Sequence, residues 1–421
     1  MTPRLTKAGG TRKRPVRYGQ GAPTSGAREL EAGLRAHKKG RHAEAVAWYR
    51  SVVEREPRCV DAWANLGAAL VALGRARDAE RAFSSAVAAA SRDARVLRDA
   101  GIGLASLGRW GAARELLEAA VAFDPTLTGA ALHLVRVCAE AGDAAAALSH
   151  ARGAVARAPR AAAAHLELHR ALFRDDAPML AAPAATTALE LDPTWDLARL
   201  QLGGLLGLAG REDESRGILA GLRASAGQRA ALGYALESRR ASTRFFAFSR
   251  QVLAFALESS PPAGPVLEFG VRHGISTRLL AELGGAHIHA FDSFRGLPEP
   301  FYGRAPGAFT TDGELPDIPE NVTLHVGLFS ETLPRYLELG LPAPRLVHID
   351  SDLYSSAREV LDALSPLLGP GTVLVFDEYL GNDRWQEDEF RAFQEVRVAH
   401  GWRYEYLAFN WFTGQAVVRM S

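Results

Sequence analysis

Cysteine is nearly missing from this chain. Only Cys59 and Cys138 occur, their spacing fits no metal motif, and both fall in helical sequence, so they read as small buried apolar residues. A disulfide framework is excluded, and a reducing, cytoplasmic setting is expected. No stretch approaches the roughly 20 apolar residues that span a membrane. The N-terminus lacks the apolar core of a signal peptide. Surplus charge is absent too: the formal net charge is +1, so no overall field draws the protein to nucleic acid or to a membrane. What is there is 421 residues, 48% hydrophobic and 23% charged, enough for two or three ordinary globular domains.

Residues 1–25 hold Arg4, Lys7, Arg12, Lys13, Arg14 and Arg17 with no acid, and are broken by Pro and Gly. Little there can offset the entropy of ordering, so a disordered basic tail is expected. Such an arm can bind nucleic acid or anionic lipid. The following domain offers no aromatic and basic surface to extend such a site, so we read a solvated terminus.

From about Gly26 to Arg229 the chain repeats itself every 34 residues. Gly33, Gly67, Gly101 and Gly203 share one register, and Pro57, Pro125, Pro159 and Pro193 another. Ala45, Ala79, Ala113, Ala147 and Ala181 form a third, and Ala86, Ala120, Ala154 and Ala188 a fourth. The small residues mark where two antiparallel helices approach closely. Phe83 and Trp63 are placed to fill the space between successive hairpins. Pro125 is placed where one repeat ends and the next begins. Val135 and His169 stand where the glycine is expected, and Ser91 where a proline is. The period and the run Asp61–Gly67 resemble the tetratricopeptide repeat (TPR). Six repeats fit over 26–229, with a cap at about 230–243. The resemblance implies an α-helical solenoid whose concave surface binds a protein or peptide partner, or holds a second copy of the chain. A plain spacer is the other reading. His165 and His169 lie one helical turn apart, but no third ligand follows at a fixed spacing, so we read no metal there.

From Arg244 to the C-terminus the pattern changes. Arg244–Ser259 reads as an amphipathic helix leading into a sheet. Strand and helix signals then alternate: strands at 265–269, 286–291, 322–326, 344–350 and 371–377, helices at 275–284, 330–340, 354–368 and 385–400. Two last strands, 402–409 and 415–420, read as an antiparallel pair. Alternation of this kind predicts a doubly wound, mainly parallel α/β sheet, with ligands at the carboxyl ends of its strands. The expected division is 1–25 tail, 26–243 repeats and 244–421 α/β domain.

Five strand ends carry chemistry. Val266–Thr277 runs from a buried strand through Glu268, Gly270 and Gly274 into a helix at Ser276, whose free N–H groups face the turn. Without Cβ atoms, Gly270 and Gly274 let a ligand lie against the backbone. A dinucleotide site wants G-x-G-x-x-G, and a carboxylate such as Glu268 repels a pyrophosphate but suits a cationic ligand. Asp292, beside Ser293, lies about twenty residues past the first glycine, where a carboxylate accepts ribose hydroxyls. Val326–Ser330, including Phe329, ends a further strand and is the expected wall for an adenine. His348–Tyr354 and Val375–Tyr379 bring Asp350, Asp352, Asp377 and Glu378 to the same sheet edge. Arg272 and His273 lie in the glycine turn, either exposed or reaching a ligand carboxylate. The Pro- and Gly-rich loop 296–320, with Phe301, Tyr302 and Phe309, is long enough for a lid. Tyr354, Tyr379, Trp385 and Trp411 either line an acceptor pocket or pack the core. His348 reads as a core histidine.

The E-x-G-x-x-x-G turn resembles motif I of class I S-adenosylmethionine methyltransferases, whose ligand carries a sulfonium and an ammonium. The runs FDSFRGLPE, HIDSDLYSS, PGTVLVFDEY and WQEDEFRAF resemble the macrocin O-methyltransferase group, which acts on sugars of natural products. The resemblance covers about 240–421. It implies a Rossmann-like methyltransferase domain, S-adenosylmethionine as cofactor, Mg2+ held by Asp350, Asp377 and Glu378, and Asp352 as base. The group usually has Asp-Asp where this chain has Asp377-Glu378. Cation plus base, substrate hydrogen bonding without a cation, and Asp352 as a helix cap all remain open. The implied reaction is O-methylation of a sugar or other small polar hydroxyl. Two further readings are an adaptor whose α/β domain only senses the cofactor, and a protein methyltransferase whose repeats choose the target.

Overall fold

The computed structural model describes residues 26–222, 226–380 and 382–421. The basic tail lies outside the described residues. The N-terminal helices come in pairs: α1 (Ala27–Lys38) with α2 (His42–Arg55), α3 (Val60–Ala72) with α4 (Ala76–Ala89), α5 (Ala94–Ala105) with α6 (Trp110–Phe123), and α7 (Thr128–Glu140) with α8 (Ala144–Arg157). The next pairs are α9 (Ala162–Leu172) with α10 (Ala182–Leu191) and α11 (Asp196–Leu208) with α12 (Glu212–Ala220), followed by the single helix α13 (Ala226–Glu237). Six helix pairs and one further helix thus occupy the stretch with the 34-residue period.

The register of small residues has a steric cause. A Cβ on Gly33 would lie 2.6 Å from the Tyr49 ring, on Gly67 2.6 Å from Phe83, on Gly101 2.8 Å from Leu117, and on Gly203 2.5 Å from Leu219. Each large partner lies 16 positions after its glycine. Where the glycine is lost, at Val135 and His169, the residue 16 positions on is Ala151 or Ala185, and both alanines are fully buried. Volume is exchanged between the paired helices, which keeps the interior at native density. Phe83 also meets Gly103 of the next pair, as expected of a residue between hairpins.

Repeat five departs from the others without changing length. Helices α9 and α10 are short, and a 3-10 turn at Pro178–Leu180 occupies the connection. Pro178 and Pro183 lack the N–H that helix continuation needs. By contacts, the described residues of 159–306 and 317–421 form one compact unit, and 26–158 with 307–316 another. Within the second, Thr311 is buried against Gly74, and the Arg77 amide donates to Glu314 (3.1 Å).

The first unit contains a sheet of eight strands, β1 (Arg244–Phe245), β2 (Val266–Phe269), β3 (Ile288–Asp292), β4 (Val322–Val326), β5 (Leu346–Ile349), β6 (Val373–Phe376), β7 (Tyr404–Asn410) and β8 (Gln415–Met420). Their order is β1-β7-β8-β6-β5-β2-β3-β4, and the pairs β6–β8 and β7–β8 are antiparallel. The chain moves outward from β2 to β4 on one side and from β5 to β6 on the other. The reversal lies between β2 and β5, where open α/β sheets bind ligands. Helices α14 (Ser249–Ser259) and α15 (Ile275–Gly284) pack together, while α16 (Phe329–Leu337), α17 (Tyr354–Leu364) and α18 (Glu389–Ala399) make a second set. Val266, Ile288, Leu346 and Val373 pack in one core with Leu253 of α14 and Leu280 of α15.

The stretch from Arg244 corrects the sequence expectation. Helix α14 starts at Ser249; Arg244 and Phe245 instead form an edge strand parallel to β7. Asp175, in the broken connection of repeat five, fixes it: its carboxylate accepts from Arg244 Nη2 (3.0 Å) and from the Phe245 amide (3.1 Å). The tip of the β7–β8 hairpin packs on helices of the same unit. Trp411 donates to Gln201 (2.6 Å), Phe412 stacks on His169 at 5.5 Å, and Arg170 donates to the Ala247 carbonyl (2.7 Å).

If volume exchange governs the repeats, Gly101→Val alone should cost about 1–3 kcal/mol by overpacking. Adding Leu117→Ala, which copies the Val135/Ala151 pairing, should restore part of that loss. Urea melts of the two single variants and the double variant measure the coupling; strictly additive effects refute the exchange.

Candidate active site

The carboxyl ends of β2, β3, β5 and β6 form a rim. Three of its residues other than glycine have left-handed backbone: Arg272 (φ 52°) after β2, Phe294 (φ 55°) after β3 and Asp352 (φ 62°) after β5. Such conformations cost on the order of 1–3 kcal/mol each and persist where surrounding structure enforces them. Asp292 supplies much of that enforcement. One carboxylate oxygen accepts from the Val271 and Arg272 amides (both 2.8 Å), and the other from Phe294 (2.7 Å). About three of its four lone-pair positions are thus taken by backbone. Asp292, expected to meet a ribose, is first the clasp of the glycine turn.

At Gly270 a Cβ would lie 2.0 Å from the Asp350 carbonyl, so the missing side chain admits the neighbouring strand end. Gly274, at φ 67°, starts α15, and Ser276 is in its first turn. Ser293 accepts from the Arg295 amide (3.2 Å). Phe329 opens α16 and stands edge-on to Phe269 at 5.3 Å. Arg272 is half-buried and His273 buried, so neither is an exposed loop residue. Burial pushes the Arg272 guanidinium down, opposed by the charges of Asp352 and Asp350. Burial, with Arg272 and Arg278 nearby, pushes His273 down to about 3.

Beneath the acids lies an ion pair. Glu268 and His348 are register partners on β2 and β5, both fully buried. His348 Nδ1 meets Glu268 at 3.1 Å, and its Nε2 faces Asp377 at 3.8 Å. Desolvation alone lowers the imidazole pKa, but Asp377 and Glu268, with Asp350, outweigh it and raise it to about 10. His348 is therefore a core histidine of a particular kind, a buried imidazolium. Gln415 donates to Asp377 at 2.7 Å.

Among the described residues, Asp350 and Asp377 form a possible cation-binding group with His348, their ligand atoms within 4.8 Å of one another. Glu378 lies outside that group. Both Asp377 and Glu378 lie just past the end of β6, in the bend that follows it. The Glu378 and Ser351 amides instead both donate to Glu389 (3.0 and 3.3 Å), a fully buried carboxylate that sequence reasoning missed. Asp352 is buried and precedes Leu353, the N-cap residue of α17, so it does not occupy the cap position itself.

Several buried polar atoms of the rim have no hydrogen-bond partner: Glu268 Oε2, His273 Nε2, Thr277 Oγ1, Ser351 Oγ and Ser355 Oγ. Glu268 is in β2, and the other four follow β2 or β5, the two strands flanking the topological reversal. The aromatic candidates behave as packing residues. Trp385 packs against Tyr234 and Phe390, the Tyr379 hydroxyl meets Tyr406 (2.8 Å), and Tyr354 donates to Glu395 (2.6 Å).

A family model described as a methyltransferase domain matches residues 267–379, which span this rim. A tetratricopeptide repeat model matches residues 36–98. The chain carries a methyltransferase domain and TPR repeats. Among solved structures it is similar to the calicheamicin methyltransferase CalS11, at 27% identity over 41% of this chain and 77% of that one, with a TM-score of 0.31. It is also similar to Pseudomonas aeruginosa PilF (20% identity, 46% and 87% covered, TM-score 0.39). YrrB, a TPR protein with a peptide-binding site, matches at 19% identity over 42% and 97%, with a TM-score of 0.34. No curated protein matches the chain.

Removing the imidazolium leaves buried carboxylates uncompensated. His348→Leu should destabilise the methyltransferase unit by about 3–5 kcal/mol. Glu268→Leu combined with His348→Leu should recover a large part of that loss. Denaturant midpoints at neutral pH test both; equal stability of His348→Leu and the parent rejects the buried ion pair.

Proposed function

We propose that the protein transfers a methyl group from S-adenosylmethionine to a hydroxyl of a sugar or another small polar metabolite, as its resemblance to the macrocin O-methyltransferase group implies. The observation that supports this best is the row of unpartnered buried polar atoms after β2 and β5. Buried polar groups in folded proteins are nearly always hydrogen-bonded, and these atoms belong to β2 and to the segments that follow β2 and β5, the strands at the reversal of strand order. A ligand with an amino acid part and a ribose supplies both donors and acceptors for them. Glu268 through Ser276 line the amino acid side of that reading, and Asp292, Ser293 and Phe329 the nucleoside side.

S-adenosylmethionine, when bound, contributes an electrophilic methyl group. Asp352 accepts the proton of the acceptor hydroxyl, raising the nucleophilicity of its oxygen. The charges of Asp352 and Asp350 act on the buried Arg272 guanidinium, which places a cation beside the proposed base. Fixed side chains at the crevice align the acceptor, a contribution that positioning alone makes large.

Mg2+ does not suit the donor set. That ion prefers octahedral oxygen ligation, whereas the third member of the group is the His348 imidazole, already engaged with Glu268. No step depends on it. The repeats serve as a binding surface for a protein partner.

Asp352→Asn should leave S-adenosylmethionine affinity within about twofold by calorimetry and lower turnover about a hundredfold or more. Turnover is measured as S-adenosylhomocysteine released with a panel of sugar hydroxyl acceptors. Activity should persist in excess EDTA. Wild-type turnover in Asp352→Asn would falsify the base assignment, and failure of the protein to bind the methyl donor refutes the whole reading.

A further inference from the structure

The segment that leaves β3 does not stay on its own side of the sheet. Tyr302, ten positions past Asp292, donates its hydroxyl to Asn382 (2.8 Å) and to the Asp388 carboxylate. Asn382 and Asp388 follow β6. In the strand order β3-β2-β5-β6 two strands lie between these anchors. At a strand spacing of about 4.8 Å the separation is roughly 14 Å, well within the reach of ten residues at about 3.3 Å each. Residues 293–302 therefore pass above the carboxyl ends of β2 and β5, over the glycine turn and the Asp350–Asp352 run. The far anchor is firm. A Cβ on Gly227 of α13 would lie 2.0 Å from the Asp383 carbonyl, and Trp385 packs on Tyr234 of the same helix. Arg384 adds a cation above the Tyr302 ring at 5.8 Å. The span is bounded by left-handed residues at both ends, Phe294 and Gly296 (φ 81°) on one side and Tyr302 (φ 44°) and Gly303 (φ 75°) on the other.

We propose that residues 293–306 are a strap that closes over the methyl-transfer crevice, and that Tyr302 is its latch, a positioning residue held by Asn382 and Asp388. The latch joins the half of the rim after β3, assigned to the nucleoside, to the half after β6, on the acceptor side. It rests on the methyltransferase reading for what it encloses, but not for its existence. Opening requires only that the Tyr302 hydroxyl leave two acceptors for water, and it relieves two strained backbone positions. Ligands enter and leave by that motion, as loops of this kind commonly allow.

The test uses the full chain carrying Tyr302→Phe, with Asp388→Asn as a second variant. Trypsin cleavage after Arg304, followed by mass spectrometry without ligand, should be at least about fivefold faster in both variants than in the parent. S-adenosylhomocysteine should slow cleavage of the parent, and stopped flow should give its dissociation from Tyr302→Phe as severalfold faster. Unchanged cleavage in both variants overturns the latch. Faster cleavage in both, with no binding of S-adenosylhomocysteine to any form, retains the latch and rejects the methyltransferase reading instead. Circular dichroism distinguishes a released strap from an unfolded variant; if Tyr302→Phe fails to fold, Asp388→Asn decides.

Discussion

A rim crowded with carboxylates can exist in this sheet because a positive charge is buried beneath it. His348 occupies the central row of β5, with Glu268 beside it on β2 and Asp377 above β6. Without the imidazolium, two buried acids would lie in a low-dielectric interior with little to offset their desolvation. The pair also crosses the reversal of strand order, so the charge balance and the crevice share the same two strands. Arg272 plays a matching part on the outer side, set among Asp352, Asp350 and Asp292.

Half of the left-handed non-glycine backbone among the described residues falls at this rim, at Arg272, Phe294 and Asp352. All six non-glycine residues with left-handed backbone among the described residues lie between Arg272 and Asp352. Three follow strands of the rim and three are in the connection from β3 to β4. Asp292 is central to this arrangement, since its carboxylate takes three amides from two turns at once. The carboxylate that fixes the turn is thus the one expected to meet the ribose, and a single lone-pair position is left for a ligand.

Much of the fold was legible from local pattern. The 34-residue register announced the helix pairs because close approach demands small residues at fixed positions, and apolar runs broken by glycine announced the parallel strands. What escaped depended on partners distant in sequence. Phe245 and its neighbours have amphipathic helical spacing, yet Asp175, 70 positions earlier, draws them into an edge strand. His348 looked like any core histidine because Glu268 lies 80 positions away. Glu378 is adjacent to Asp377 in sequence, yet its amide donates to Glu389, 11 positions on. Glu389 sat in a recognised run but carried no sign that it would accept two amides from other loops.

The break in repeat five links these two kinds of order. A regular repeat hides its connections in short turns, but Pro178 lengthens this one and leaves Asp175 available to β1. An edge strand of two residues is too short to hold itself, and β1 would otherwise leave β7 with unpaired amides, a surface open to strand addition. Arg170 and His169 on α9 and Gln201 on α11 then meet Ala247, Phe412 and Trp411, so the open side of the sheet is closed by helices that began as repeats. His169 takes the glycine position of its repeat because that position must reach outward to Phe412, and Ala185 supplies the volume it requires. The irregularities of repeats five and six are therefore the features by which this helical segment completes a methyltransferase sheet.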